Sequence, residues 1–261
     1  FHNLATRLVD MLLESVFDDM QVSDFFSDSA WYHEDEQQSV ISSCVDPLDD
    51  YNGDLQHWLD FMFYRMYTEK ALDKLVGSYV NAMLLNCRQC PFRVDDVTGD
   101  HLAAEQMRVD QQCLDDFMSG VVDSTGRPMV HPNRVKDRLK VIGSLAGFLE
   151  ASPDPKDGEL TLFSIGLHVF FGQLTTDVAD QLLQGRKDVK TKSIALNLIK
   201  ERVKTQGEGS MASRGQPWLM EQLSTVKALP VAPTPSYSSN TQPQPASRGW
   251  FRSRKKPTKA S

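Results

Sequence analysis

Proline placement constrains this chain more than any other feature. The 13 prolines leave four long gaps, at residues 1–46, 48–90, 92–127 and 156–216. A proline inside a helix deletes a backbone hydrogen bond and clashes with the preceding turn, so these gaps are where long helices can run. Apolar residues inside the gaps recur with the helical period. Leu72, Leu75, Val76, Tyr79, Val80 and Met83 form one stripe, and Val109, Cys113, Leu114, Phe117 and Val121 a second. Val135, Leu139, Ile142, Ala146 and Leu149 form a third, and Leu4, Leu8, Met11, Leu12 and Val16 a fourth. Each stripe turns one apolar face to a neighbour and leaves the charges outward. Sustained strand-like alternation is hard to find. The expected fold is therefore all-α, in stacked antiparallel helical bundles. Loops are expected near 86–99, 123–132 and 151–158, and shorter helices over 158–171, 174–185 and 189–205. Gly126, Pro128 and Pro132 mark one of those loops, and Pro153, Pro155 and Gly158 the next. Phe117 and Leu139, each in mid-stripe, are expected in the core.

The same reading divides the chain at 123–132. Residues 1–126 make a first bundle with an acidic loop or broken helix near 32–54, and residues 127–205 make a second. Residues 206–261 form a tail rich in Pro and Ser, expected to be largely disordered except for a short helix around Trp218 to Ala228.

Charge is distributed unevenly. Residues 1–60 hold 14 acids and one base, Arg7, whereas residues 222–261 hold seven bases and no acid. Acidic and basic ends suit different partners, and the acidic end would repel the phosphates of nucleic acid. Glu34, Asp35, Glu36, Asp46, Asp49, Asp50 and Asp54 occur with no Lys or Arg among them. Unpaired carboxylates are too costly to bury, so this stretch is expected to be exposed. Either Glu34, Asp35, Glu36, Asp49, Asp50 and Asp54 contact a basic partner, or they form a solvated segment. At the other end stand Trp250, Phe251, Arg252, Arg254, Lys255, Lys256 and Lys259. Their aromatics could partition into a lipid interface while the cations meet anionic headgroups. The other reading is that Trp250 and Phe251 dock on protein.

Chemical motifs are sparse. Cys87 and Cys90 form a C-x-x-C, but a structural zinc site needs four ligands, and Cys44 and Cys113 stand apart. The six histidines show no metal-binding or nucleophile-elbow spacing, and no phosphate-binding glycine loop is present. These observations point away from an enzyme and imply no cofactor. Four cysteines in 261 residues make a reducing compartment the default. No apolar stretch is long enough to span a membrane. Since it starts at Phe1 rather than Met, the chain is expected to be a fragment, and no signal peptide is visible in it.

The order of the stripes resembles the C-terminal part of the Sec-six family of exocyst subunits, vesicle-tethering proteins of the helical-rod (CATCHR) class. Val16-Phe17-Asp18-Asp19 followed by Trp31, and Asp50-Tyr51 with Asp54, are similar to two family runs. Tyr79-Val80-Asn81-Ala82-Met83-Leu84-Leu85 resembles a family helix. So do Met107-Arg108-Val109-Asp110 and Leu114-Asp115-Asp116-Phe117-Met118, and Arg134 to Glu150 fits the next element. The resemblance covers about residues 1–205, and Pro47 and Asn52-Gly53 depart from it in a region the family keeps helical. It implies a rod of bundles in a non-enzymatic exocyst subunit that tethers secretory vesicles to the plasma membrane before SNARE-mediated fusion. The implied partners are the other exocyst subunits and plasma-membrane SNARE proteins. The implied location is cytoplasmic, peripheral at the plasma membrane and at sites of polarised secretion. Two other readings stay open: a peripheral membrane adaptor acting through the basic-aromatic tail, and a regulatory helical domain of an enzyme whose active site lies upstream.

Overall fold

A computed structural model describes residues 2–20, 40–87, 91–93, 101–154, 156–172, 175–207 and 215–226. All belong to one compact unit, Phe1–Ala228; a second unit, Leu229–Ser261, lies outside the described residues. Nine helices are described: α1 (His2–Asp19), α2 (Val40–Trp58), α3 (Phe61–Asn86), α4 (Leu102–Gly120), α5 (Pro132–Glu150), α6 (Glu159–Phe171), α7 (Thr175–Gly185), α8 (Lys192–Gly207) and α9 (Pro217–Val226). Among the described residues the one β feature is an isolated bridge between Val122 and Pro128. The fold is an all-α bundle.

The longest helix, α3, is the hub. Its 26 residues span about 39 Å at the α-helical rise. Asp60 starts it by accepting a hydrogen bond from Met62 N at 3.0 Å. α1, α2, α5, α7 and α9 all pack against it. A helix so surrounded must be apolar on several sides, and Tyr64, Tyr67, Ala71, Leu72, Leu75, Val76, Tyr79, Val80, Met83 and Leu84 are all buried. The stripes read in α3 and α5 are in the core, Leu139 included.

Two other stripes are corrected. In α1 the buried set is Val9, Leu13, Val16 and Phe17, with Met20 just beyond it, while Leu4, Leu8 and Met11 face outward. In α4 the buried set is Ala103, Ala104, Met107, Asp110, Leu114 and Met118. Phe117 is accordingly half-buried at the edge of the core, and Val109 is exposed.

α2 carries a third correction, because it runs unbroken through Pro47 and Asn52-Gly53. The proline leaves the Ser43 carbonyl without its helical donor, but Ser43 is exposed, so water can serve it. Ile41, Cys44 and Leu48 bury the opposite side against α3 and α4, which offsets the cost.

α4 and α5 make an antiparallel hairpin closed by a tight loop. Asp123 accepts from Thr125 N at 2.7 Å and from Arg127 N at 3.0 Å, and Gly126 takes the left-handed φ of 80° that the turn requires. The Thr125 hydroxyl, donating at 2.6 Å, and these backbone hydrogen bonds hold the Asp123 carboxyl below its ordinary pKa. His131 then caps α5 through Nδ1, with Pro132 in the first turn. Buried residues on both sides of this loop join one apolar cluster. α9 lies where a short helix was expected beyond residue 206, with Leu219 and Leu223 buried.

Candidate partner-binding surfaces

A groove of about 640 Å³ lies between α2 and α4. Val45, Cys113 and Phe117 supply apolar walls, Asp46, Asp49, Asp50 and Asp116 supply carboxylates, and Gly120 closes one end. Helical spacing explains the arrangement. Ile41, Cys44, Leu48 and Asn52 occupy the inward face of α2, so Asp46, Asp49, Asp50 and Asp54 must project outward, and all four are exposed. From α4, Cys113 and Phe117 lie just outside the buried register and line the groove instead.

One buried carboxylate sets the position of α2 relative to α4. Asp110 accepts from the Tyr79 hydroxyl at 2.8 Å and from Gln106 Nε2 at 3.1 Å, and it faces the Ile41 N–H at 3.5 Å. Ile41 lies in the first turn of α2, where backbone donors have no partner within the helix. Asp110 therefore acts on that helix end from a neighbouring helix. Burial, with Asp110 nearby, pushes the Cys44 thiol up to about 12. Burial, with Asp49 adding to it, does the same to Tyr64, to about 12.

A second exposed feature is the corner between α2 and α3. Trp58 is 79% exposed and Met62 64%, with Phe61 and Phe63 beside them. His57 meets Trp58 edge-on at 5.4 Å between ring centroids.

The sequence-derived candidates are distributed as follows. Asp49 and Asp50 line the groove, and Asp54 is exposed one turn further along α2. Glu34, Asp35 and Glu36 lie outside the described residues, as do Trp250, Phe251, Arg252, Arg254, Lys255, Lys256 and Lys259. Asp46 was read as part of the acidic stretch but not as a contact, and Asp116 only within the run that resembles the family. The available signal was the mismatch in α4 between Phe117 and the inward register of Ala103, Ala104, Met107 and Asp110. In the C-x-x-C, the buried Cys87 thiol donates to the Leu84 carbonyl at 3.2 Å and the Gln181 carbonyl at 3.3 Å, and Cys90 lies outside the described residues. Among the described residues, no three His, Cys, Asp or Glu side chains gather as metal ligands would.

Residues quoted for the family resemblance serve as contacts between helices. The Tyr51 hydroxyl donates to Asp19, joining α2 to the end of α1. Arg108 forms a two-pronged pair with Glu150, joining α4 to α5. Tyr79 and Asp110 meet as described above. The family model described as exocyst complex component Sec6 matches residues 1–190. The chain belongs to this family. The Sec6 match ends in the loop before α8, so it is shorter than the 1–205 read from the sequence. No curated protein and no solved structure matches the chain. Sec6 membership makes this an exocyst component, a structural part of a vesicle-tethering complex. Among the described residues no helix is long and apolar enough to cross a membrane.

Proposed function

We propose that this chain acts as a helical docking segment of the exocyst, holding secretory vesicles at the plasma membrane before SNARE-mediated fusion. The Sec6 match over residues 1–190 carries the reading. The α2–α4 groove suits the work. Its apolar walls can take the side chains of a partner helix, and its four carboxylates favour a basic flank on that helix. Another exocyst subunit or a plasma-membrane SNARE would be the occupant. Asp54, and with it Glu34, Asp35 and Glu36, would extend the acidic rim. The basic-aromatic tail would add weak attraction to anionic membranes through Trp250, Phe251 and the cations that follow.

The test is capture of purified exocyst subunits and SNAREs by the full chain and by a variant carrying Asp46→Asn, Asp49→Asn, Asp50→Asn and Asp116→Asn. The variant should weaken at least one association by about tenfold or more, and the native association should weaken as salt rises. Associations that ignore both changes would remove the groove from the reading.

A further inference from the structure

We propose that the exposed basic face formed by α8 and the loop leading into it is a docking surface for an anionic lipid bilayer. In a chain of net charge −7, residues 186–204 hold seven bases and two acids. Arg186 and Asp188 pair with each other inside the fold, and Lys192 donates to the Gln184 carbonyl at 3.0 Å. The remaining five cations, Lys187, Lys190, Lys200, Arg202 and Lys204, are all exposed, against a single exposed acid in the stretch, Glu201. Lys200 and Lys204 stand one turn apart on the outward face of α8, together with Ser193 and Asn197. Lys187 and Lys190 extend the charge beyond the N-terminal end of the helix. Ile199 and Ala195 fix that orientation, because both are buried against the neighbouring helices α6 and α7. Acids also face this region from α7, where Asp177 is exposed and Asp180 half-buried. They lower the local field without cancelling it.

The chemistry of the surface favours lipid over protein. Four of the five cations are lysines, strongly hydrated point charges that suit a diffuse layer of headgroups. Protein interfaces instead favour arginine and aromatic anchors and are depleted in lysine. The cations are spread over two places, Lys187 and Lys190 in the loop before α8 and Lys200, Arg202 and Lys204 in its second half. Three grooves on the described surface, of about 640, 440 and 350 Å³, are lined by other residues. The surface is a separate segment from the basic-aromatic tail, and its case does not depend on the tail.

Sedimentation of the full chain with phosphatidylcholine vesicles, with and without about one-third phosphatidylserine, tests the proposal. One variant carries Lys187→Gln, Lys190→Gln, Lys200→Gln and Lys204→Gln. A second neutralises Arg252, Arg254, Lys255, Lys256 and Lys259, and a third combines both sets. At about fivefold per cation near an anionic surface, the first variant should lose tenfold or more of its affinity for the anionic vesicles. Its melting temperature should stay native, since the four side chains are exposed. The loss should recur when the tail is already neutralised. If the tail variant binds as the native chain does, the tail reading fails and this surface stands. Native affinity in the first variant would overturn the proposal, as would an equal loss on vesicles of phosphatidylcholine alone. So would native vesicle binding accompanied by lost capture on immobilised poly-glutamate, which would assign the face to an acidic protein segment.

Discussion

A single carboxylate, Asp110, joins three helices: it lies in α4, accepts from Tyr79 of α3 and faces the first turn of α2. Its side chain is fully buried. Removing it leaves the Tyr79 hydroxyl and Gln106 without that acceptor in a dry interior. Asp110→Ala should therefore lower stability by about 2–4 kcal/mol in urea unfolding. Tyr79→Phe, which removes one donor and leaves the acid in place, should cost about 1–2 kcal/mol. Arg186 makes a comparable knot at the other end of the fold. It donates to the Phe148 and Ala151 carbonyls at 2.8 Å each, serving the end of α5, and pairs with Asp188. Burial pushes the Asp188 carboxyl up, but the hydrogen bond and charge of Arg186, with His101 beside it, hold it below its ordinary pKa. A carboxyl depressed in the folded state contributes stability above its unfolded pKa, near ~4, and loses that contribution as pH falls through the folded value. Arg186→Met should cost about 3–5 kcal/mol at neutral pH, because it strands a half-buried carboxylate. The gap between native and variant should narrow as pH falls below about 4, read from urea midpoints at the two pH values. Neither knot was legible in the sequence. Hydropathy counts Asp110 and Arg186 as outward residues, and nothing local reveals partners 31 and 38 positions away.

Among the elements, legibility depended on whether neighbours enclose a helix or leave one side to water. α3 and α5 are packed on several sides, so the stripe read in each is buried together with other apolar residues. α1 carries two overlapping sets, Leu4-Leu8-Met11 and Val9-Leu13-Phe17, and only its neighbours decide which turns inward. In α4 the chosen face is built from two alanines and a buried acid, which score poorly against Val109 and Phe117 although they allow closer packing. The groove was hidden for the same reason, since its walls are the α4 side chains that the stripe assigned to the core. α2 is a case of tertiary packing overriding a local signal, because burial of Ile41, Cys44 and Leu48 carries the helix through a proline. Pro47→Ala should restore a donor to the Ser43 carbonyl. The gain should be about 1–3 kcal/mol, less a few tenths for the more flexible unfolded chain. A shift of the urea midpoint at constant slope would register it.

For the whole molecule, the all-α class, the approximate limits of several helices and the family were legible, because they rest on periodicity and order along the chain; α2 was not, having been read as an acidic loop or broken helix. The connection between residues 1–126 and 127–205 is a three-dimensional property. α4 and α5, on either side of the loop at 121–131, pack together, and one apolar cluster continues across it. Calorimetry on residues 1–228 should give a single unfolding transition. Two resolved transitions would instead divide the molecule at that loop. The C-terminal elements should be separable in the same measurement. Truncation after Ala228 removes only the second compact unit and should leave the melting temperature within about a degree. Truncation after Gly207 also removes α9, exposing the surface that Leu219 and Leu223 cover and the contact of Arg138 with the Trp218 ring at 4.5 Å. That deletion should lower the melting temperature by several degrees, at about 2–4 °C per kcal/mol for a chain of this size.

The seat of α9 on α3 has a consequence for what can be watched in solution. A Cβ added at Gly77 would stand 2.5 Å from the Gln222 Cβ, so the two backbones approach as closely as they do because Gly77 has no side chain. At ten residues, α9 is too short to hold its own helix in water. Its amide protons are therefore shielded from deuterium only while it rests on that bare patch. Hydrogen exchange across Leu219 to Leu223 thus becomes a clock for the docking of α9, readable without any label. Gly77→Val should speed it by orders of magnitude while the amides of α5 keep their native rates.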